Sequence, residues 1–240
     1  MEDHVYTNNI ATRSFRDVAD QDYIAARVCH KSGLTLQFLW MAQQSIEKYL
    51  KAILIYNNKK TLKLSHDLIA SLNRINEIPG LDLDLSDDVI KFIEYIDQQG
   101  PNRYLEKEMY TCGNELLRLD RCVWEIRRYC KVLSYSIDIR EGESLNLFSK
   151  EIENIKKWKG SEKKHLFSLN GGYLEKILKS KNKRDMKQRE ILVWKNFYYG
   201  KRKKNTIQWA RSIRSIIPTQ VVHPEGIEAI RKLVQLPKNK

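Results

Sequence analysis

Apolar residues between Leu105 and Leu133 recur with steps that alternate between four and three positions. This spacing is typical of a helix that packs against other helices along its whole length. The positions are Leu105, Met109, Cys112, Leu116, Leu119, Val123, Ile126, Cys130 and Leu133. The sequence therefore predicts one long helix here, a rod of a helical bundle. We expect its outer face to carry the cations Arg118, Arg121, Arg127, Arg128 and Lys131.

A second regular apolar pattern covers Leu34–Asn57, and no glycine or proline interrupts it. Its inward positions are Leu39, Ala42, Ile46, Tyr49 and Ile53. The pattern predicts a long helix that is buried on a broad face. Glu47 and Lys51 are four residues apart on this helix, in the order that stabilises a helix.

Shorter helical patterns lie around these two. Helices are predicted over Phe15–Lys31, from a Ser65 N-cap to about Ile78, and over Asp87–Gln99 after Ser86. Residues 1–14 are polar and irregular, so we expect a flexible N-terminus. The prediction for residues 15–135 is an all-α, up-and-down helical bundle.

Charge divides the chain into two unlike parts. Residues 141–240 contain 24 Lys and Arg against 10 Asp and Glu, whereas residues 1–140 contain 19 against 20. A basic segment of this kind usually binds a polyanion. Nucleic acid fits better than a membrane, because no cationic helix with a bulky apolar face stands out.

Residues 136–240 are predicted to form a smaller, basic, mostly helical region. We read 136–144 as a polar link and Leu145–Trp158 as a helix, and 189–199 as a helix or a strand. Cations are densest over residues 179–204, with aromatic residues among them. Lysines attract phosphates and flat rings stack bases, which is the combination that single-stranded nucleic acid binding uses. The candidate binding residues are Lys195, Tyr198, Lys201, Arg202, Lys203, Lys204, Trp209 and Arg211. The alternative is that the rings form a small core and the lysines its solvated face.

Cysteine and histidine spacing and the absence of long apolar runs argue against a metal-binding, secreted or membrane protein. The four cysteines form no CxxC pair, and the five histidines have no zinc-site spacing, so we expect neither a metal nor another cofactor. No signal peptide and no apolar run of spanning length is present. We expect a cytoplasmic protein with reduced thiols and no membrane association.

Two motifs in the predicted bundle carry a family resemblance. The stretch Leu39–Leu54, which includes AQQSIEKYLKA, is followed after a loop by Ser65-His66-Asp67-Leu68. This order resembles the HEPN family of helical-bundle domains, over about residues 15–133. The resemblance implies a bundle that often dimerises and, in many members, a ribonuclease site. In that site an Arg-(x)4–6-His element from each subunit meets across the dimer. The resemblance also suggests a role in a toxin–antitoxin or defence system.

The chain departs from this element at its decisive position. Arg103 stands where the family's arginine falls, at a predicted helix entrance favourable to anions, with Asn102 and Tyr104 beside it. The spacing places Glu108, Met109 or Tyr110 where the histidine would be. Glu108 is too weak a base and Tyr110 too weak an acid at their ordinary pKa values. His66 matches the family's HDL position, where we expect a loop-holding role; it is a weaker catalytic candidate.

These observations favour a homodimer that binds RNA or a nucleotide through Arg103 and the basic region, without ribonuclease activity. The first alternative is an active, metal-independent endoribonuclease in which Tyr110, Glu108 or His66 supplies the acid–base group. The second is an adaptor for a partner protein, whose lysines serve only solubility.

Overall fold

The structure, a computed structural model, describes residues 2–100, 109–111, 113–140, 143–157, 169–199, 214–216 and 232. Within these ranges the chain is mainly helical, as predicted. The helices are α1 Glu2–Ile10, α2 Asp17–Lys31, α3 Thr35–Tyr56, α4 Leu68–Asn76, α5 Asp87–Gln99, α6 Glu115–Arg127, α7 Phe148–Lys157, α8 Tyr173–Lys179 and α9 Lys183–Val193. The strands are β1 Met109–Thr111, β2 Ser136–Arg140, β3 Glu143–Asn146 and β4 Arg214–Ile216. No described helix is both long enough and apolar enough to cross a bilayer.

Helices α2 and α3 form the centre of the bundle. Small residues face each other where they pack: Ala19 and Ala26 on α2, and Ala42 and Ser45 on α3, are all fully buried. The Ser45 hydroxyl donates to the Ala19 carbonyl at 3.0 Å, which ties the two backbones together. The predicted α3 is confirmed, because its bounds and its buried positions agree with the apolar spacing.

The N-terminal residues are helical rather than irregular. Helix α1 continues through a π-helical segment, Ala11–Arg16, directly into α2. Ala11 is fully buried in the core, and the Thr12 hydroxyl lies 2.6 Å from the Tyr56 hydroxyl of α3. Such tertiary contacts stabilise a helix whose own sequence is polar, and they cannot be read from local composition.

The predicted long helix from Leu105 is wrong in its first part. Met109–Thr111 is a strand that pairs antiparallel with β4, Met109 opposite Ile216, and α6 begins only at Glu115. Met109 is nevertheless fully buried, as are Leu119, Val123 and Ile126 of α6. The apolar spacing therefore identified the buried positions, while a pairing partner more than 100 residues away determined the backbone conformation. Leu105 and Cys112 lie outside the described residues.

Residues 136–146, predicted mainly as a polar link, form the antiparallel hairpin β2–β3, and α7 begins at Phe148 rather than Leu145. The strand alternative for residues 189–199 is wrong, because α9 continues to Val193 and turns follow it.

Residues 169–199 pack into the same core as the bundle. Leu174, Ile177 and Leu192 are buried in contact with the bundle's apolar residues. The division of the chain near residue 135 stays a prediction, but this packing holds α8 and α9 against the helices that the first half provides.

Candidate functional site

The predicted phosphate-binding element lies mostly outside the described residues. Arg103, Asn102, Tyr104 and Glu108 are among the residues that the structure does not describe. Its described flank is Gly100, just after α5. A Cβ at this position would lie 2.7 Å from the Cβ of Gln43 on α3, so only glycine fits. The Gln43 amide donates to the His66 carbonyl at 3.3 Å, which places the end of α5 and the His66 loop against one α3 side chain.

His66 belongs to a polar group with three α3 residues, Gln43, Glu47 and Lys51, which we call the His66 cluster. Nδ1 of His66 lies 2.9 Å from Oε2 of Glu47. The other Glu47 oxygen accepts from Lys51 Nζ at 2.7 Å. The His66 side chain is 57% exposed, whereas the Glu47 side chain is only 7% exposed.

The backbone around His66 is held in place from several sides. Lys51 Nζ donates to the Ser65 carbonyl at 2.8 Å, and Ser65 has a left-handed φ of 46°. Asp67, and not the predicted Ser65, is the N-cap of α4, where its carboxylate accepts from the Ala70 amide at 2.8 Å. The Leu68 amide donates to Asp97 at 2.7 Å. The loop is therefore fixed by α3 and α5 together, through contacts to its backbone, and the loop-holding role of the His66 side chain stays a prediction.

The His66 cluster has the arrangement of an oriented base. A carboxylate accepts hydrogen bonds, so Nδ1–H of His66 donates to Glu47, and in the neutral imidazole Nε2 then carries the lone pair. A buried carboxylate that orients an exposed imidazole is the pairing that activates nucleophiles in many enzymes. Tyr110, the other described candidate, is 49% exposed on β1, and its carbonyl accepts from the Tyr95 hydroxyl at 2.9 Å.

The basic C-terminal half presents a set of exposed cations. We call these the C-terminal cations: Lys176, Lys179, Lys181, Lys183, Arg184, Lys187 and Lys195. Among the salt bridges formed by described residues, none involves any of these seven side chains. The acidic groups of the same segment offset them only in part, since Glu175 is buried against Arg127 and only Asp185 and Glu190 remain against seven exposed cations.

The aromatic residues after α9 divide into internal and surface rings. Tyr198, a predicted base-stacking residue, stacks on Trp124 of α6 with ring centroids 5.3 Å apart, and Tyr199 is buried near Tyr23. Trp194 is half-buried instead, and its ring lies 5.0 Å from Lys195 Nζ. The core alternative describes Tyr199 and, in part, Trp194, which packs against the core beside Ile191 and Leu192 but keeps part of its surface exposed. Lys201, Arg202, Lys203, Lys204, Trp209 and Arg211 lie outside the described residues.

Arg127, expected on the outer face of its helix, is fully buried between two carboxylates. Its Nε and Nη2 donate to Asp20 at 2.7 Å each, and its Nη1 donates to Glu175 of α8 at 2.7 Å. Arg128, also expected outside, is 9% exposed and donates to the Ile155 carbonyl at 3.1 Å. Buried arginines need such partners, because an unpaired charge in the core is costly.

A second buried arginine joins α2 to α6 and to the end of α9. Arg27 pairs with Asp120 and donates to the carbonyl of Ile191 at 3.0 Å and to that of Trp194. Asp120 also accepts from the Tyr23 hydroxyl at 2.6 Å. We refer to Arg27, Asp120, Arg127, Asp20 and Glu175 together as the buried ion-pair network.

The electrostatics of this network indicate a structural role. Burial opposes the charge of Arg127, but Asp20 and Glu175 together outweigh it, and the pKa of Arg127 is raised well above its ordinary value. Burial likewise opposes the charge of Glu175, but the hydrogen bond and the charge of Arg127, together with backbone hydrogen bonds, outweigh it and lower the pKa of Glu175. Burial, together with Asp120, raises the pKa of Tyr23 well above its usual range. These groups are screened from solvent, so they hold α8 and α9 in place rather than meet a substrate.

Two features of these sites were not identified from the sequence. The sequence identifies Glu47 only as a helix partner of Lys51, and its contact with His66, 19 residues away, has no local signal. Lys31, at the end of α2, has no sequence signal that links it to Trp194, although its Nζ lies 5.6 Å from the centroid of that ring. No group of three or more His, Cys, Asp or Glu side chains is placed to hold a metal ion in the part of the chain that the structure describes.

Comparison with known proteins gives one finding. The family model of the HEPN domain matches residues 12–133, which is just over half of the chain and contains α2 to α6. No curated protein and no solved structure matches the chain.

Proposed function

Because the chain belongs to the HEPN domain family, we propose that it binds RNA or a nucleotide, with Arg103 contacting phosphate and the basic C-terminal half holding the rest of the ligand. The observation that carries this proposal is the set of C-terminal cations, exposed and without carboxylate partners among the described residues. Exposed, uncompensated lysines attract a phosphate backbone at long range.

The position of Arg103 in the chain agrees with this function. It follows Gly100 by three residues, and Gly100 lies against Gln43 of the His66 cluster. We propose that Arg103, with Asn102 and Tyr104, contacts phosphate on this side of the bundle, in a groove completed by a second copy of the chain. Such a homodimer in a toxin–antitoxin or defence system is consistent with the family.

In this proposal the chain binds its ligand and does not cleave it. Glu108 and Tyr110 stand where the family's histidine would fall, and neither is an effective acid–base group at its ordinary pKa. Arg103 alone can bind phosphate, because the planar guanidinium group matches the geometry of two phosphate oxygens.

Titration of labelled RNA at low and at high salt, with and without EDTA, tests the proposal. We expect binding that weakens steeply as salt rises, intact RNA in EDTA, and a lower affinity for Arg103→Ala. Lys91→Gln, an exposed lysine on α5, is the control. Absence of affinity even at low salt would favour the adaptor function instead.

A second candidate function, metal-independent endoribonuclease, is favoured by the His66 cluster. The exposed imidazole, oriented by the buried Glu47, has the geometry of a base that takes the 2′-hydroxyl proton. RNA cleavage in EDTA that disappears both in Arg103→Ala and in His66→Gln, while RNA still binds, would replace the binding-only function with this one.

A further inference from the structure

Trp194 stands at a junction between the two halves of the chain with a lysine from each half against its ring. Lys31 is the last residue of α2 and its Nζ lies 5.6 Å from the ring centroid. Lys195 follows Trp194 directly and its Nζ lies 5.0 Å from the same centroid. Both lysines are exposed and the ring is half-buried. We call these three residues the Trp194 platform.

The backbone below the platform is fixed by buried contacts. Arg27 of α2 donates to the carbonyls of Ile191 and Trp194, and it is itself held by Asp120. On the other side, the buried Asn196 side chain donates to the Tyr23 hydroxyl at 2.8 Å. Between these anchors Lys195 has a left-handed φ of 51°, which is uncommon for a lysine. The ring is therefore presented by a rigid support rather than by a free loop.

Two neighbouring rings are already occupied, whereas Trp194, whose ring centroid lies 6.4 Å from that of His30, packs partly against the core and keeps part of its surface exposed. Tyr198 stacks on Trp124, and the Arg128 guanidinium lies 4.2 Å from the Trp124 ring. Tyr199 is only 4% exposed. An exposed ammonium over a ring is a weak contact, so a stacking base displaces it at small cost.

We propose that the Trp194 platform binds single-stranded RNA, with one unpaired base stacked on Trp194 and the flanking phosphates contacted by Lys31 and Lys195. This rests on the proposed RNA-binding function and specifies its ligand as an unpaired strand. An indole face accepts any base, and the two ammonium groups recognise the backbone, so the expected recognition depends little on sequence.

Fluorescence anisotropy of the full chain with a labelled oligoadenylate and with an RNA duplex of equal length tests this. We expect Trp194→Leu to weaken single-strand binding about tenfold, as loss of one stacked base does, and to leave duplex binding unchanged. Trp194→Phe keeps a ring and should retain most of the affinity. Lys31→Gln and Lys195→Gln should each lower the slope of log affinity against log salt by about 0.7, and Lys91→Gln by less.

The outcomes separate this inference from the function on which it rests. If the wild-type chain binds the oligonucleotide with steep salt dependence and Trp194→Leu binds equally well, the platform is not the site and the proposed function stands. Equal losses for single strand and duplex also overturn the platform. If the wild-type chain binds neither RNA at low salt, the proposed function itself fails. Should Trp194→Leu unfold, Trp194→Phe and the two lysine variants decide the question, since they leave the core intact.

Discussion

The bundle and the segment 169–199 use their positive charges in opposite ways. In the bundle, many cations are paired with carboxylates, both on the surface and in the core, although some, such as Lys31 and Lys91, are exposed without an ion pair among the described residues. The paired cations include Arg16, Lys48, Lys51, Arg121, Arg127 and Lys131. In the segment 169–199 the C-terminal cations have no such partners among the described residues.

This difference separates charges that hold the fold from charges that remain available to a ligand. A cation fixed in an ion pair adds little to the potential that an approaching polyanion experiences, whereas an uncompensated one adds its full charge. The two regions meet at the buried ion-pair network, where Glu175 of α8 binds Arg127 of α6. The basic segment is thus attached to the bundle by one of its few acidic residues.

The largest expected effect is at Arg127. Arg127→Met leaves Asp20 and Glu175 buried without their shared cation, and we expect it to lower the free energy of unfolding by about 3–5 kcal/mol. Urea unfolding followed by circular dichroism measures this. A loss below about 1 kcal/mol would mean that the pair is solvated and that the two regions do not differ as described.

Glu175→Gln tests the attachment from the other side. We expect it to lower the free energy of unfolding by about 1.5–3 kcal/mol at neutral pH, because a charged hydrogen-bond acceptor is lost. Since the pKa of Glu175 is lowered in the folded chain, its stabilisation is full above its ordinary value of 4.5 and decreases as pH falls through the folded value. The difference in the free energy of unfolding between Glu175→Gln and wild type should therefore become smaller in urea titrations below pH 4.5. A gap that is constant or widens in acid would contradict the pairing.

A surface pair of the bundle should matter less. Lys48 Nζ of α3 lies 2.5 Å from Asp22 of α2, with both side chains partly exposed. We expect Lys48→Ala to change the free energy of unfolding by about 0–1 kcal/mol, and less at high salt. A double-mutant cycle with Asp22→Ala isolates the pair, and a coupling energy above about 2 kcal/mol would rank this surface contact with the buried ones.

The smallest effect on stability is expected where the cations are unpaired. Replacing Lys181, Lys183 and Lys187 by Gln should leave the free energy of unfolding within about 0.5 kcal/mol of wild type. The same triple variant should lower the slope of log RNA affinity against log salt by about 2. An unchanged slope would show that these lysines are only a solvated face. The unpaired cations of this segment would then not contribute to RNA binding.

The parts of the fold that could be predicted are those that depend on local patterns. Helices α3 and α5 follow from apolar spacing and from the residues that end them, and the buried positions of α6 follow from the same spacing. Strand β1 could not be predicted, because its partner β4 is more than 100 residues away. The burial of Arg127 was missed for the same reason, since its partners lie on α2 and α8.

In the candidate sites, too, contacts between residues distant in sequence could not be predicted. His66 was chosen from a motif, but its orienting carboxylate on α3 appears only when the loop folds back against that helix. Charge density pointed to the basic segment, yet it did not distinguish Trp194 from Tyr198, because the difference lies in which ring packs on Trp124. The roles of Arg103, Asn102, Tyr104 and Glu108 stay predictions.

The three-way contact at Arg127 also has a consequence for synthesis on the ribosome. Asp20 and Arg127 both emerge before Glu175, so a nascent bundle can neutralise that guanidinium with a single carboxylate while the basic segment is still being translated. We expect this contact to close, and α8 to pack against the bundle, only after residue 175 has been translated. In this order Arg127 has at least one carboxylate partner at each stage, and we expect the lysine-rich segment to dock late.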